Sequence, residues 1–327
     1  MALINILRTG LFATAVTALE TAQPHLRGQQ QQRAASSSSP GCGQSAPVAP
    51  GQWKSDSTAS GREYRFFLPA PYDASTPSPL ILSYHGATRD IDQRVKEDQL
   101  SKTKFNTDHV VVYLQGARKD PDDPSSTTWE GAPEAPADDL GFTADVLDAV
   151  EAQLCVDTNR IYATGQSQGG GFVGRLACDA ALSQRIAAFA PVSGAFYNTD
   201  ITSESDCDPV TMDNPCDNGR TNIPILEMHG GGDEIISFHG GWHKEACLPA
   251  IRHWAKDWAR RDNLDLKDSE SDVPGTDNGI KYVYGDGLVT LVEAGDDVGH
   301  VWMSKNKGNA DLDASEWVMD FFRQHSL

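Results

Sequence analysis

The sequence predicts an α/β architecture, with a mostly parallel sheet flanked by helices on both faces. Three observations carry this. Short apolar runs recur at residues 80–84, 109–114, 160–164, 186–192 and 223–228. Stretches of helical period lie between them, at 141–154 and 168–181. The run HVVVYL at 109–114 is nearly continuous in apolar residues, the pattern of a strand covered on both sides. Strands that alternate with helices in this way pack the helices onto both faces of a parallel sheet.

The elements follow in order. REYRFFL at 62–68 reads as a strand stopped by Pro69 and Pro71. The strand at 80–84 runs into His85-Gly86, and the one at 109–114 ends at Gly116. Residues 117–138, rich in Asp, Pro and Ser, read as a long loop holding Trp129. In the next helix Phe142, Val146, Ala149 and Val150 form one apolar stripe. Residues 242–261 read as a single long helix with Trp242 and Trp254 facing the core. Residues 280–292 read as a hairpin turning at Gly285-Asp286-Gly287, and 314–322 as a closing helix. The stretch 268–278 looks inserted.

Composition narrows the function classes. The 327 residues carry a formal charge of -19, with 46 acidic residues against 27 Lys plus Arg. A nucleic-acid binder needs a basic surface that releases phosphate counterions, and none is visible. The acidity suits solubility in an acidic or extracellular medium. An apolar fraction of 39% supports a folded core and is too low and interrupted for a multi-spanning membrane protein. Residues 1–20, with Arg8 and an apolar run at 11–19, read as a signal peptide for export. Residues 21–41, with Gln29 to Gln32 and Ser36 to Ser39, read as a low-complexity linker, and 42–327 as a single catalytic domain. No Asn-x-Ser/Thr sequon is present.

The six cysteines, Cys42, Cys155, Cys178, Cys207, Cys216 and Cys247, suit disulfides in an oxidising compartment. Six cysteines allow fifteen pairings. Proximity along the chain suggests Cys207 with Cys216 and Cys155 with Cys178, which leaves Cys42 with Cys247. No C-x-x-C pair exists and the histidines are scattered, so no metal is expected.

The most informative segment is IYATGQSQGGG at 161–171. Gly165-Gln166-Ser167-Gln168-Gly169 matches G-x-S-x-G, between an apolar strand and a periodic helix. That spacing builds a sharp strand-to-helix turn that lifts the Ser167 hydroxyl above the sheet. Small residues two before and two after let strand and helix pass closely. The helix N-terminus favours developing negative charge. The fold class therefore sharpens to an α/β-hydrolase.

A serine hydroxyl needs an adjacent base, and in this fold the order is Ser, acid, His. Asp233, in the loop MHGGGDE, and His300, in AGDDVGHVW, stand beyond later strands in that order. Glu234, Asp296 and Asp297 are rival acids. The acid must approach His300 from another strand end, which favours Asp233. Asp233 then fixes the ring and stabilises the imidazolium without taking the proton. His229 reads as a packed histidine that orders the acid loop, and His109 as structural. His239, His243 and His253 read as helix-region residues. His25 and His325 lie near the chain ends. Acyl transfer also needs donors aimed at the oxyanion. Gln168 N–H is the first candidate, and Ala87 or Thr88 N–H, in HGAT at 85–88, the second. Trp129 and Trp302 are candidate aromatic walls of a substrate pocket, which would suit a flat acyl group; Trp302 alternatively packs the histidine loop.

On Cys42-Gly43, HGAT at 85–88, LCVDTNRIYATGQSQGG at 154–170, MHGGGD at 228–233 and GHVW at 299–302, the chain resembles a known group. It resembles the secreted feruloyl esterase C type and the related LpqC-like, polyhydroxybutyrate depolymerase-like esterases of carbohydrate esterase family 1. Members often read HGT-x-D and GH-T-W-P where this chain reads HGGGD and GHVWM. The resemblance implies secretion, no cofactor, and a triad of Ser167, Asp233 and His300. It implies feruloylated or acylated plant cell-wall polysaccharide, or its oligomers, as the partner, with no nucleic acid and no membrane. The expected activity is a feruloyl esterase releasing ferulate from arabinoxylan. The alternatives are a polyhydroxybutyrate depolymerase, an acetylxylan esterase, or, from another class, a noncatalytic extracellular carbohydrate-binding protein.

Overall fold

A computed structural model of the chain describes residues 37–216 and 218–327. The expected signal peptide at 1–20, most of the expected linker and His25 lie outside the described residues. Strands β1 (Trp53–Ser57), β2 (Glu63–Phe67) and β3 (Ser78–Tyr84) precede helix α1 (Ile91–Asp98) and strand β4 (Val110–Leu114). A two-residue pair, β5 (Ala117–Arg118) and β6 (Thr127–Thr128), leads to α2 (Asp139–Gln153), β7 (Val156–Gln166), α3 (Gln168–Cys178) and β8 (Ala188–Val192). Strand β9 (Ile225–His229) is followed by a short hairpin, β10 (Gly241–His243) and β11 (Ala246–Leu248), and by α4 (Ile251–Arg261). Strands β12 (Ser269–Asp272), β13 (Ile280–Tyr284) and β14 (Val289–Glu293) and helix α5 (Ala314–Phe322) complete the chain.

A ten-stranded sheet runs in the order β1-β2-β4-β3-β7-β8-β9-β14-β13-β12. Its centre, from β4 to β14, is parallel, and both margins are antiparallel. Successive side chains of a strand face opposite ways. Leu80, Leu82 and Tyr84 enter the core layer shared with Val146 of α2, Phe172 of α3 and Trp254 of α4. Ile81 enters the opposite layer, with Ile91 of α1 and Val318 and Phe322 of α5. A strand buried on both faces has no polar side to show, which is why HVVVYL reads as a continuous apolar run. This is the expected α/β-hydrolase arrangement.

Helix α1 escaped the sequence reading because its apolar stripe is thin. It is set by a capping box: Gln93 N–H donates to Asp90 Oδ1 at 2.8 Å, and Asp90 N–H donates to Gln93 Oε1 at 3.0 Å. The single helix expected at 242–261 is instead the β10–β11 hairpin followed by α4. Lys244 and Glu245 take φ of 50° and 60°, a left-handed pair that reverses the chain, and Pro249 stands before the helix start. Trp242 therefore sits half-buried on β10 rather than on a helix face. The stretch at 268–278 supplies the edge strand β12. The fold also begins earlier than residue 42: Ser39 N–H donates to Val156 O at 3.0 Å, and Ser39 Oγ to Leu154 O at 2.5 Å.

All six cysteines are paired, but none in the expected partnership. The bonds are Cys42–Cys155, Cys178–Cys216 and Cys207–Cys247. The N-terminal arm runs beside the start of β7, which gives Cys42 to Cys155 rather than to Cys247. The loop after β8 lies between the end of α3 and the β10–β11 hairpin, where Asn198 N–H donates to Cys247 O at 2.8 Å. Its two cysteines thus face different elements and do not meet. Proximity along the chain does not predict these pairs, because each bond joins elements that the fold, not the sequence, brings side by side.

Candidate active site

Ser167, His85, Asp233 and His300 all follow the C-terminal ends of parallel strands, where sites in such sheets collect. Ser167 stands between β7 and α3 with φ 58° and ψ -123°, a conformation costly for a residue with a Cβ. The close approach around it requires glycine: a Cβ on Gly169 would sit 2.5 Å from the backbone oxygens of both Tyr84 and His85. The turn is tied to the end of β8, with Ser167 N–H donating to Val192 O at 3.1 Å and Ala195 N–H to Ser167 O at 2.9 Å. Ser167 itself is half-buried.

The 85–88 loop lies against this turn; a Cβ built on Gly86 would fall 3.3 Å from Ser167 Cβ. His85 organises the loop from inside. Its Nδ1 donates to Gly86 O at 2.7 Å, its Nε2 accepts from Gly116 N–H at 2.9 Å, and its carbonyl accepts from Trp129 Nε1 at 2.7 Å. Burial pushes the His85 imidazole down to about 4, so the ring is neutral and its tautomer fixed.

Asp233 and His300 meet across the β9 and β14 loops. His300 Nδ1 donates to Asp233 Oδ2 at 2.7 Å. Asp233 Oδ1 accepts from Ile235 N–H at 2.9 Å and Ile236 N–H at 2.8 Å, and His229 Nε2 lies 3.3 Å from Oδ2. Burial alone would raise the Asp233 carboxyl. The hydrogen bonds from His229 and His300 outweigh it and hold the group well below the usual carboxylate range. The glycine run HGGGD is explained by crowding: Gly231 N–H donates to Gly295 O at 2.9 Å, Gly232 N–H to Val298 O at 3.1 Å, and a Cβ on Gly230 would collide with Val298 O. The rival acids point elsewhere. Glu234 and Asp297 are exposed, and Asp296 accepts from Asn278 Nδ2 at 2.6 Å. His109 is buried beside Asp108 and His253 bonds Met212 O, both structural.

Among the described residues His300 Nε2 has no protein hydrogen-bond partner. Between β7 and β9 stands only β8, so the Ser167 and Asp233 strands are roughly 10 Å apart at the backbone. Gln168 N–H, in the first turn of α3, has no intrahelical partner. Of the two proposed second donors, Thr88 is ruled out because its N–H already donates to Thr127 O at 2.9 Å. Ala87 remains.

The two proposed aromatic walls are corrected as well. Trp129 is 0% exposed and packs on Tyr84 and Phe172. Trp302 is 2% exposed, donates to Ser315 Oγ at 2.9 Å and lies under the Arg94 guanidinium. Both brace loops, Trp302 the histidine loop, and neither faces a cleft. The cleft beside the elbow, about 410 Å³, is lined by Gln168, Gly171, Tyr197, Asn198, Trp254 and Trp258 among others. Tyr197 and Asn198 escaped the sequence reading because they belong to an irregular loop with no period. Glu227 escaped it too, although a carboxylate inside the apolar strand ILEMH was a usable signal.

No protein-family model matches the chain. Among curated proteins it is 27% identical over 199 residues to feruloyl esterase B of Piromyces equi, covering 59% of this chain and 34% of that protein. It is 28% identical over 208 residues to a probable feruloyl esterase C of Aspergillus niger, covering 62% of this chain and 65% of that one. The chain thus spans less than two thirds of the length of these relatives. Among solved structures it resembles an acetyl xylan esterase from Aspergillus awamori, with a TM-score of 0.58 at 14% identity, over 84% of this chain and 99% of that one. The chain has the α/β-hydrolase fold and is distantly similar in sequence to fungal feruloyl and acetylxylan esterases.

Proposed function

We propose that this chain is a secreted serine carboxylic ester hydrolase that releases hydroxycinnamoyl groups such as ferulate from plant cell-wall polysaccharide or its oligomers. The observation that carries the reading is the strained Ser167 turn, packed by Gly86 and Gly169 at the same sheet end as the bonded Asp233–His300 pair. The resemblance to feruloyl esterases of fungi supports the acyl group, and three disulfides suit an oxidising, extracellular setting.

In this mechanism Ser167 Oγ attacks the ester carbonyl as His300 Nε2 takes its proton. A bond forms between Oγ and the carbonyl carbon, and the oxyanion is met by Gln168 and Ala87 N–H groups. Each such donor contributes ~3–4 kcal/mol in the transition state. The carbon–oxygen bond to the sugar breaks, and His300 gives its proton to the departing oxygen. Water then attacks the acyl-enzyme, loses a proton to His300 and releases the carboxylic acid, and Ser167 regains its hydrogen. Asp233 stays ionised throughout. The second reading is an acetylxylan esterase. It gains weight from the burial of Trp129 and Trp302, which removes the expected flat aromatic slot. A panel of methyl ferulate, feruloylated arabino-oligosaccharides, acetylated xylan and hydroxybutyrate oligomers separates the two. Turnover of the feruloyl substrates, abolished by Ser167→Ala, supports the first; turnover of acetylated xylan alone contradicts it.

A further inference from the structure

Behind Asp233 lies a second histidine and a second carboxylate that the mechanism does not use. Glu227 sits mid-strand in β9, and both it and His229 are fully buried. Glu227 Oε1 accepts from Gly194 N–H at 3.0 Å and lies 2.8 Å from His229 Nδ1. On its other side, His229 Nε2 is 2.8 Å from Ile236 O and 3.3 Å from Asp233 Oδ2. A carbonyl only accepts, so Nε2 carries a proton. Nδ1 faces a Glu227 oxygen that already takes an amide hydrogen, which favours placing the proton of this contact on Nδ1. His229 is then an imidazolium clasped between two carboxylates, the arrangement in which a buried charge is tolerated.

We propose that Glu227 and His229 are positioning residues that extend the acid–base pair into a buried chain, Glu227–His229–Asp233–His300, and that the His229 cation sets the acid limit of hydrolysis. This rests on the serine hydrolase reading above. His229 and His300 share Asp233 Oδ2. A positive charge on His229 draws on that oxygen, so the charge of His229 bears directly on the Asp233–His300 pair that hydrolysis uses. The groups facing His229 are Glu227 on its own strand, Asp233 on the next loop and, through Asp233, His300 after β14. His243 and Lys244 of the β10–β11 hairpin complete the charged surroundings of the site. Glu293 of the neighbouring strand is turned to Tyr282 Oη at 3.0 Å. Burial works against the His229 cation, but its bonds to Asp233 and Glu227 prevail and push it up to about 9. Burial also raises Glu227. The two compete for one proton, and the Gly194 amide on Oε1 favours the carboxylate form.

The test compares kcat/KM for p-nitrophenyl acetate against pH in the wild type and Glu227→Gln, with Ser167→Ala as control. A glutamine oxygen in the place of Oε1 still accepts from Gly194 N–H but carries no charge, so His229 loses one of the two carboxylates that hold its second proton. The acid limb is expected to move upward by roughly 0.5–1 pH unit with KM changed less than about twofold. An unmoved limb in a folded Glu227→Gln protein, judged by near-UV circular dichroism, overturns the chain while a dead Ser167→Ala leaves the hydrolase reading standing. Turnover by Ser167→Ala overturns the hydrolase reading and the chain with it. Should Glu227→Gln not fold, ring-nitrogen spectra of ¹⁵N-histidine-labelled wild type decide. At about pH 8, where an ordinary histidine is neutral, His229 is expected with both nitrogens protonated. A neutral His229 overturns the proposal.

Discussion

The rim that carries Ser167, Asp233 and His300 and the cleft wall beside it are built by opposite means. At the rim, loops touch backbone to backbone. Gly169 lies on the 84–85 carbonyls and Gly230 on the 298 carbonyl, and the polar groups of Asp233 are met by Ile235, Ile236, His229 and His300. The wall, which includes Tyr197, Asn198, Asn214 and Cys216, is irregular chain after β8. It is fastened by Cys178–Cys216 and Cys207–Cys247. Close packing holds atoms within fractions of an ångström, which acid–base chemistry demands. A cross-link holds only the path of a loop and leaves its side chains free to differ. The rim is therefore expected to tolerate almost no change, and the wall to tolerate much while its cross-links last.

The comparison can be broken most severely at the rim. Ser167→Ala is expected to lower kcat by roughly 10⁴–10⁶-fold with the thermal midpoint unchanged, measured on any ester the protein turns over. Asp233→Asn leaves the shape intact but disturbs the His300 tautomer, and kcat is expected to fall roughly 10³–10⁴-fold. Equal activity in either variant would show that the rim's geometry is incidental. Gly230→Ala drives a methyl group into Val298 O; urea titration is expected to show a loss of about 2–4 kcal/mol, with activity falling in step. At the wall, the Cys178→Ser, Cys216→Ser pair is expected to cost about 2–4 kcal/mol of stability as well. There KM should rise several-fold with kcat nearly kept. A large kcat loss from opening the wall would erase the distinction.

A smaller effect sharpens it. Buried His85 holds its imidazole near 4, against about 6.5 in an unfolded chain. Between those values the unfolded chain binds the extra proton, so stability is full above about pH 6.5 and falls as pH drops toward 4. The expected loss is ~3 kcal/mol by about pH 4, read from urea midpoints at several pH values, and a His85→Gln variant should flatten that slope. An equally steep slope in the variant would place the titrating group elsewhere.

The same contrast explains what the sequence revealed. The rim was legible because its demands are local and chemical. A tight turn needs glycine at fixed offsets around Ser167, and Asp233 and His300 follow recognisable strands. The sheet was legible for a similar reason, since burial on both faces writes apolar runs such as 109–114. The wall and its fastenings were not. Cysteine pairing depends on which elements lie side by side, and the left-handed pair Lys244–Glu245 hid a hairpin inside a stretch of helical composition. Trp129 and Trp302 carried no mark separating a cleft wall from a brace. Thr88 and Ala87 differ only in which N–H the β6 carbonyl of Thr127 captures, a contact between distant segments.

The central claim is that Ser167 is the nucleophile and His300 its base. Intact-mass and peptide analysis after treatment with a serine-directed fluorophosphonate tests it directly. One adduct per chain, on Ser167, formed rapidly in the wild type and at least about a thousandfold more slowly in His300→Ala, is the predicted result. Labelling at another residue, or an unlabelled chain that still hydrolyses esters, would contradict it.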